Sequence, residues 1–174
     1  MPTPILNRRS FGMLAGGTLA TLLAGEAAAA LASPKGRTIL TVSGKIRITN
    51  EGEAAKFDRD MLEALGMTGF TTKTPWYDKP VQFEGPLMTA VMDAVGAFGD
   101  SLVATALNDY STTIPVSDFA QFKPILALKR DGEYMPVKDK GPLFVVYNFD
   151  SSAELSQQTY YRRSAWQVAQ FILK

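Results

Sequence analysis

The segment GPLFVVY, residues 141–147, contains the most apolar strand that the chain predicts: Leu, Phe, two Val and Tyr follow one another from 143 to 147. A short apolar run that begins after Gly and Pro is typical of a buried strand. On the N-terminal side, 38–42 and 45–49 alternate and are rich in β-branched residues, which predicts two more strands. Because predicted strands outnumber helices and turn-forming residues are dense, we expect the α+β class with a mainly β core.

The remaining elements are predicted from hydrophobic period and from turn residues. Asp58 is expected to cap a helix over 59–65 that stops at Gly66, and Pro86 is expected to begin a helix that ends near residue 97. The dipeptide Asp131-Gly132 predicts a hairpin. Further short elements are expected at 70–74, 81–83, 101–107, 110–114, 125–128, 134–137 and 168–173 as strands, and at 115–119 as a helical turn.

The chain contains no cysteine and no histidine, and this restricts its chemistry. Without an imidazole there is no Ser-His-Asp or Cys-His nucleophile. Without a thiolate there is no sulfur ligand for zinc, copper, an iron–sulfur cluster or molybdenum. We therefore expect a protein that binds a ligand. Any catalysis would rest on carboxylates, Lys, Tyr or Thr, or on the reactivity of the ligand itself.

The first 32 residues have the features of a signal peptide. The tetrapeptide Arg8-Arg9-Ser10-Phe11 precedes an apolar, glycine-containing run over 12–25, and Ala30-Leu31-Ala32 forms an A-x-A cleavage pattern. The arginine pair resembles a twin-arginine (Tat) signal, and an ordinary secretory (Sec) peptide that carries two arginines is the alternative. We therefore expect a leader over 1–32 and one mature domain over 33–174 in the periplasm.

The charge balance argues against several classes of partner. The chain has 18 Lys and Arg against 17 Asp and Glu, and removal of Arg8, Arg9 and Glu26 with the leader leaves a neutral domain. A neutral domain without a basic stripe is not expected to bind nucleic acid, and no polybasic segment indicates a lipid surface. No mature segment is apolar for long enough to insert directly into a membrane. Without heptads, a monomer is the expected state.

Seven short motifs, spread in order between Ile39 and Leu173, together carry a family resemblance. They are Thr74-Pro75-Trp76, Phe83-Glu84-Gly85, Asn108-Asp109-Tyr110, Ile114-Pro115, Leu126-Ala127, Gly141-Pro142-Leu143 and Ser164-Ala165-Trp166-Gln167. In this order they resemble the sulfite oxidase-type molybdopterin-binding domain, and most of all its short, stand-alone periplasmic members. The resemblance implies a mixed, β-rich fold with a cleft that accepts a pterin.

The chain departs from that family at the residue on which the redox chemistry depends. Enzymes of the family bind molybdenum through a cysteine, in the segment that here reads TTKTPW, residues 71–76. A threonine hydroxyl does not replace a thiolate at neutral pH. The resemblance therefore implies a non-catalytic protein that binds a free pterin, oxidised or reduced, and no metal, and that signals to a membrane partner such as a diguanylate cyclase or phosphodiesterase. The alternative is a molybdopterin-dependent oxidoreductase of the sulfite oxidase type.

A pterin is a flat bicycle with an amino-pyrimidinone edge, and its chemistry selects candidate residues. Its face requires an aromatic platform, for which Trp76 or Tyr110 is suited. Its amino edge pairs with a carboxylate, for which we expect Asp109. The polar rim is then expected to come from Thr74, Asn108 and Arg163.

Each of these residues also has a purely structural interpretation. Trp76 after Pro75 is typical of a core aromatic at a strand corner, and Asn108-Asp109 is a natural turn dipeptide. The pair Arg162-Arg163 is also typical of a solvated surface. Trp166 is expected in the core rather than at the site. The sequence alone leaves these alternatives open.

Overall fold

The structure, a computed structural model, describes residues 31–174. The predicted leader, 1–32, lies outside the described residues except for its last two. The described part is a mixed α+β fold, mainly β with a few short helices, as the sequence predicts. No helix within residues 31–174 is long and apolar enough to cross a membrane.

Short strands dominate the described residues. In chain order the strands are β1 (Leu40–Gly44), β2 (Ala55–Phe57), β3 (Met67–Thr74), β4 (Tyr77–Pro86), β5 (Ser101–Ala106), β6 (Ser111–Pro115), β7 (Ile125–Ala127), β8 (Lys129–Arg130), β9 (Glu133–Tyr134), β10 (Phe144–Val146) and β11 (Val168–Leu173). The α-helices are α1 (Arg59–Glu63), α2 (Met88–Ala94), α3 (Ser117–Phe122) and α4 (Gln158–Arg163). Turns of 3₁₀ helix lie at Val137–Asp139, Phe149–Ser151 and Ala153–Ser156.

The first sheet has five strands in the order β2-β1-β11-β5-β6. Strands β1 and β11 run parallel, and the other neighbouring pairs are antiparallel. Alternate side chains along β5, such as those of Leu102 and Ala104, are fully buried, while their neighbours are half-buried. This alternation is typical of a sheet that packs one face on the core.

The second sheet has the antiparallel order β3-β4-β8-β9, and β7 pairs separately with β10. Asp131 and Gly132 connect β8 to β9 with φ of 50° and 83°, so the hairpin predicted there is confirmed. A Cβ on Gly85 would lie 2.0 Å from the carbonyl oxygen of Leu126, so only glycine allows β4 to approach β7 this closely. The second sheet and the β7–β10 pair therefore form one continuous core.

The apolar segment 143–147 lies at the centre of that core. All five of its side chains are fully buried, and β10 occupies its middle. Phe144 is in edge-to-face contact with Phe83 of β4, with the ring centroids 5.7 Å apart. The strand predicted over 143–147 is therefore confirmed as β10. Its Phe144 packs the β7–β10 pair against the second sheet.

Three sequence predictions of local structure are wrong. The strand expected over 134–137 ends at Tyr134, because Pro136 precedes a turn of 3₁₀ helix that begins at Val137. Residues 45–49 form no strand, because the N–H groups of Arg47 and Ile48 donate to the carbonyl of Val95. Strand β1 pairs instead with β2, which places the fully buried Ala55 and Phe57 beside it. Pro86 ends β4 rather than beginning a helix, because β4 continues past Gly85, and α2 starts two residues later.

Asp58 links the segment that precedes β1 to α1. Its carboxylate accepts hydrogen bonds from the backbone N–H groups of Lys35 and Gly36, each at 2.8 Å, and from that of Met61 at 3.0 Å. The bond to Met61 is the N-cap predicted from sequence. These donors, with Gly36 and Met61 the largest contributors, lower the pKa of Asp58 below its ordinary value.

We predict that Asp58→Ala lowers the free energy of unfolding by about 1–2 kcal/mol at pH 7, because α1 loses its cap and 35–36 lose their acceptor. A carboxyl whose pKa is lowered in the folded state stabilises the fold above its unfolded pKa of about 3.9, and that stabilisation is lost as the pH falls through the folded pKa. The difference between the variant and the wild type should therefore shrink below about pH 4 in urea unfolding.

The matched control is Asp60→Ala, since Asp60 is exposed in the first turn of the same helix. It should change the unfolding free energy by less than about 0.5 kcal/mol. An equal loss in both variants, or a loss at Asp58 that does not depend on pH, would contradict the assignment.

Candidate functional site

A cleft of about 370 Å³ lies where three parts of the chain meet. The turn from β3 to β4 provides Pro75 and Trp76, and the turn from β5 to β6 provides Asn108 and Tyr110. Helix α4 and the residues after it form the third wall. That wall consists of Gln158, Tyr161, Arg162, Ser164 and Trp166.

Trp76 stands at the junction between this cleft and the core. Its ring makes edge-to-face contacts with Phe144, Trp166 and Tyr161, at centroid distances of 5.4, 5.5 and 6.1 Å. The side chain is half-buried, so it packs on the core and also lines the cleft. Trp76 is therefore a core aromatic at a strand corner, as its structural interpretation predicts, and it is also part of the cleft wall. The surrounding rings fix its orientation, which favours a preformed aromatic wall.

Tyr110 and Asn108 hold the turn between β5 and β6 against α4. The hydroxyl of Tyr110 donates to the carbonyl of Arg162 at 3.2 Å, and its backbone N–H donates to Oδ1 of Asn108 at 3.2 Å. The ring of Tyr110 is 48% exposed, which leaves much of its area open to a ligand. The Nδ2 group of Asn108 makes no hydrogen bond within residues 31–174 and is available as a donor.

The structure brings three of the six sequence-predicted site residues to the cleft wall: Trp76, Asn108 and Tyr110. Thr74 lies behind that wall, where its Oγ1 accepts a hydrogen bond from the backbone N–H of Trp76 at 3.3 Å. Asp109 is exposed at the tip of its turn with a φ of 64°, as the turn interpretation predicts, and does not line the cleft.

Arg163 points away from the cleft, into a buried polar network. Its Nη1 lies 2.8 Å from Oδ2 of Asp118, and the hydroxyl of Tyr147 donates to the same oxygen at 2.8 Å. The side chains of Arg163 and Asp118 are only 22% and 7% exposed. Burial, with the hydrogen bond to Asp118, raises the pKa of Tyr147, so its proton stays in place. Arg163 thus fixes α4, whose outer residues line the cleft.

Sequence reasoning missed the third wall of the cleft. Tyr161 and Arg162 are on α4, which the sequence analysis did not predict, because six residues are too few to show a helical period. Trp166, expected in the core, is half-buried and lines the cleft while packing on Trp76. The cluster QTYYRR, residues 158–163, with its paired tyrosines and arginines before a tryptophan, was the available signal.

The composition of the wall determines which ligands the cleft suits. Aromatic rings from Trp76, Tyr110, Tyr161 and Trp166 surround it, with amide and guanidinium groups at its rim. No carboxylate is among the lining residues that the structure describes. A groove of about 580 Å³ between residues 36–41 and β11 is larger, but no aromatic side chain in the described chain lines it. A groove of about 760 Å³ is lined by Phe70 and Phe122, but no tryptophan or tyrosine is among its described lining residues. The Trp76 cleft, with four aromatic side chains in its wall, is therefore the better site for a flat ring.

Comparison of the chain with models of known protein families and with curated protein sequences found no match in either. The likeness to the sulfite oxidase-type domain thus stays a prediction from the ordered sequence motifs.

We predict that Arg163→Met costs about 3 kcal/mol of unfolding free energy, because it leaves the Asp118 carboxylate buried without its cation. Urea unfolding measures the loss. Arg162→Met is the matched control, since Arg162 is the exposed neighbour on the same helix and should change stability by less than about 0.5 kcal/mol. Equal effects at the two positions would contradict a structural role for Arg163.

Proposed function

We propose that the protein binds a free pterin in the Trp76 cleft without catalysing its conversion, and that it carries the pterin signal to a membrane partner. The observation that carries the proposal is the meeting of Trp76, Tyr110 and Asn108 in one aromatic-walled cleft. The volume of about 370 Å³ lies in the range of small-molecule pockets. The ordered sequence motifs support the same ligand class.

The aromatic walls account for the ring system. A flat bicycle placed beside Trp76 or Tyr110 gains an offset-stacked or edge-to-face contact, worth about 0.5–1.5 kcal/mol beyond area burial. The T-shaped packing of Trp166 and Tyr161 around Trp76 keeps the wall in place before the ligand arrives. Such preorganisation reduces the ordering cost of binding.

The polar groups suit the pyrimidinone edge. This edge presents an N–H donor next to a carbonyl acceptor, and a side-chain amide offers the complementary pair. Asn108 and Gln158 supply amides at the rim, and Arg162 supplies a cation for the ligand's oxygen. The carboxylate expected at Asp109 belongs to the same turn as Asn108 but is not among the lining residues, so the amides make this pairing instead. A few bonds of about 1–3 kcal/mol each plus one stacked face are consistent with micromolar affinity.

The side-chain donors of this chain do not suit molybdenum, the metal that enzymes of the resembled family bind. Molybdenum in that family requires a thiolate, and the chain has no cysteine. In the corresponding segment, the Thr72 hydroxyl accepts a hydrogen bond from the backbone N–H of Asp150 at 3.1 Å, and Thr74 Oγ1 accepts from Trp76. These oxygens are neutral and already hydrogen-bonded. We therefore assign the cleft to an organic ring and not to an oxo-transfer centre.

The location and the partner belong to the same proposal. The twin-arginine-like leader supports a periplasmic location for the mature domain, and the resembled short proteins are associated with membrane diguanylate cyclases or phosphodiesterases. A periplasmic domain that binds a pterin without turnover has its effect through a second protein. The partner is therefore the periplasmic part of a membrane receptor.

Titration with unsubstituted pterin and with its tetrahydro form, followed by fluorescence polarisation or calorimetry, tests the proposal. We expect a Kd in the micromolar range for the wild type. Tyr110→Leu should bind pterin with about tenfold lower affinity, because the exposed ring is removed from the cleft. Tyr134→Leu is the matched control: Tyr134 is 41% exposed, against 48% for Tyr110, and lies on β9 away from the cleft. Absence of binding by the wild type, or equal losses in both variants, would refute the site.

Elemental analysis of the protein purified from its native compartment separates the proposal from the oxidoreductase alternative. We expect less than about 0.1 molybdenum per chain, because the donor set contains no thiolate. Stoichiometric molybdenum together with turnover of an oxo-transfer substrate would establish the enzyme instead.

A further inference from the structure

Strand β3 forms the outer edge of the second sheet. The hydrogen bonds of its neighbour β4 determine which N–H and C=O groups of β3 point outward. The carbonyls of Gln82 and Glu84 in β4 accept hydrogen bonds from Asp131 and Leu128, on the side away from β3. In an antiparallel ladder, alternate residues bond to alternate sides. Val81, Phe83 and Gly85 therefore face β3, and they are opposite Thr72, Phe70 and Thr68.

The remaining residues of β3 direct their backbone outward. These are Met67, Gly69 and Thr71, whose N–H and C=O groups form no hydrogen bond with other parts of residues 31–174. At Lys73 the edge closes, because Asp150 accepts from the Lys73 N–H at 2.8 Å. The open edge is thus residues 67–71, with no proline and no charged side chain to protect it.

Grooves lie on both faces of this open edge. On one face, a groove of about 760 Å³ is lined by Phe70 together with the half-buried Leu87 and Phe122. On the other face, a groove of about 420 Å³ is lined by Met67, Thr71 and Glu84. An added strand sends alternate side chains to opposite faces, so each groove would receive every second residue.

We propose that the 67–71 edge of β3 binds an extended segment of a partner protein by strand addition. The outward N–H and C=O groups repeat along the strand, and an extended polypeptide backbone is the chemistry that matches this repeat. The site is separate from the Trp76 cleft and does not depend on the pterin assignment.

The length of the edge favours a partner segment over a second copy of the chain. Five residues extend over about 17 Å. A pairing of that length buries less than the roughly 1,200 Å² of total surface found in stable protein–protein interfaces. A short peptide strand that docks transiently fits this area, whereas a permanent dimer does not.

Charge and burial specify the side chains of the segment. The Phe70 groove offers an apolar residue the side chains of Phe70, Leu87 and Phe122, although Lys123 and Glu154 also line it. On the opposite face, Glu84 is the register partner of Lys129 in β8 but forms no ion pair with it, so its carboxylate is open to a lysine or arginine of the segment. The segment therefore alternates apolar with basic residues.

The probe is a synthetic peptide of about ten residues that alternates valine and lysine, with the valine–glutamate peptide as its matched control. Amide hydrogen exchange of the full chain, read by NMR, reports the contact. We expect the valine–lysine peptide to slow exchange at Met67, Gly69 and Thr71, and the valine–glutamate peptide to have at least tenfold weaker effect because it places like charge against Glu84.

Two variants separate backbone pairing from side-chain contact. Thr71→Pro removes one outward N–H while leaving the β3–β4 ladder intact, so it should weaken binding of the valine–lysine peptide at least tenfold. Thr71→Val keeps that N–H and should bind the peptide as the wild type does. Glu84→Gln, which changes no backbone group, should also weaken it and covers the case in which the proline variant does not fold. No protection at 67, 69 and 71, or equal binding in every variant, would overturn the proposal. Concentration-dependent protection without peptide would identify a second copy as the occupant and overturn it too.

Discussion

The packing of Phe144 in β10 is the contact on which the rest of the described fold depends. Its ring is fully buried and meets Phe83 of β4, Trp76 of the cleft and Trp166 of the segment before β11. Strand β10 therefore connects the second sheet to the segment that leads into the first. Burial of side chains of this size contributes about 1.5–3 kcal/mol each. Phe144 is the fully buried member of the set of rings that packs around Trp76, so it links the cleft wall to the centre of the core.

A second, polar interaction supports the opposite wall. Tyr147 follows directly after β10 and shares Asp118 with Arg163, so the same segment anchors α4. Burial of the Asp118 carboxylate is tolerated because Arg163 and Tyr147 both donate hydrogen bonds to it. The cleft is thus held by an apolar contact on one side and by an ion pair on the other. Phe144 makes the apolar contact and Tyr147 donates a hydrogen bond to the Asp118 of the ion pair, so residues 144–147 support both walls.

The sequence predicted those parts of the molecule that depend on local pattern. The apolar run 143–147, the strand over 168–173 and the Asp58 cap are each specified by neighbouring residues, and each is present. Trp76, Asn108 and Tyr110, chosen from the motifs and from pterin chemistry, lie together because the β3–β4 and β5–β6 turns meet at the cleft. The Arg163–Asp118 pair was not, since its members are separated by 45 residues and only the fold brings them together. Strand β2 was missed for the same reason, because its pairing with β1 is tertiary.

Strand β3 connects the two surfaces proposed here, and its middle determines whether they communicate. Its outward edge covers 67–71 and its end leads into the turn that presents Trp76. Between them, Asp150 accepts from the Lys73 N–H and donates from its own N–H to Thr72. A ligand changes a distant affinity only through an element with two arrangements that both sites bias. With both of these bonds formed, the Asp150 clamp fixes the middle of β3 to the 149–151 turn. While the clamp holds, the two surfaces act independently.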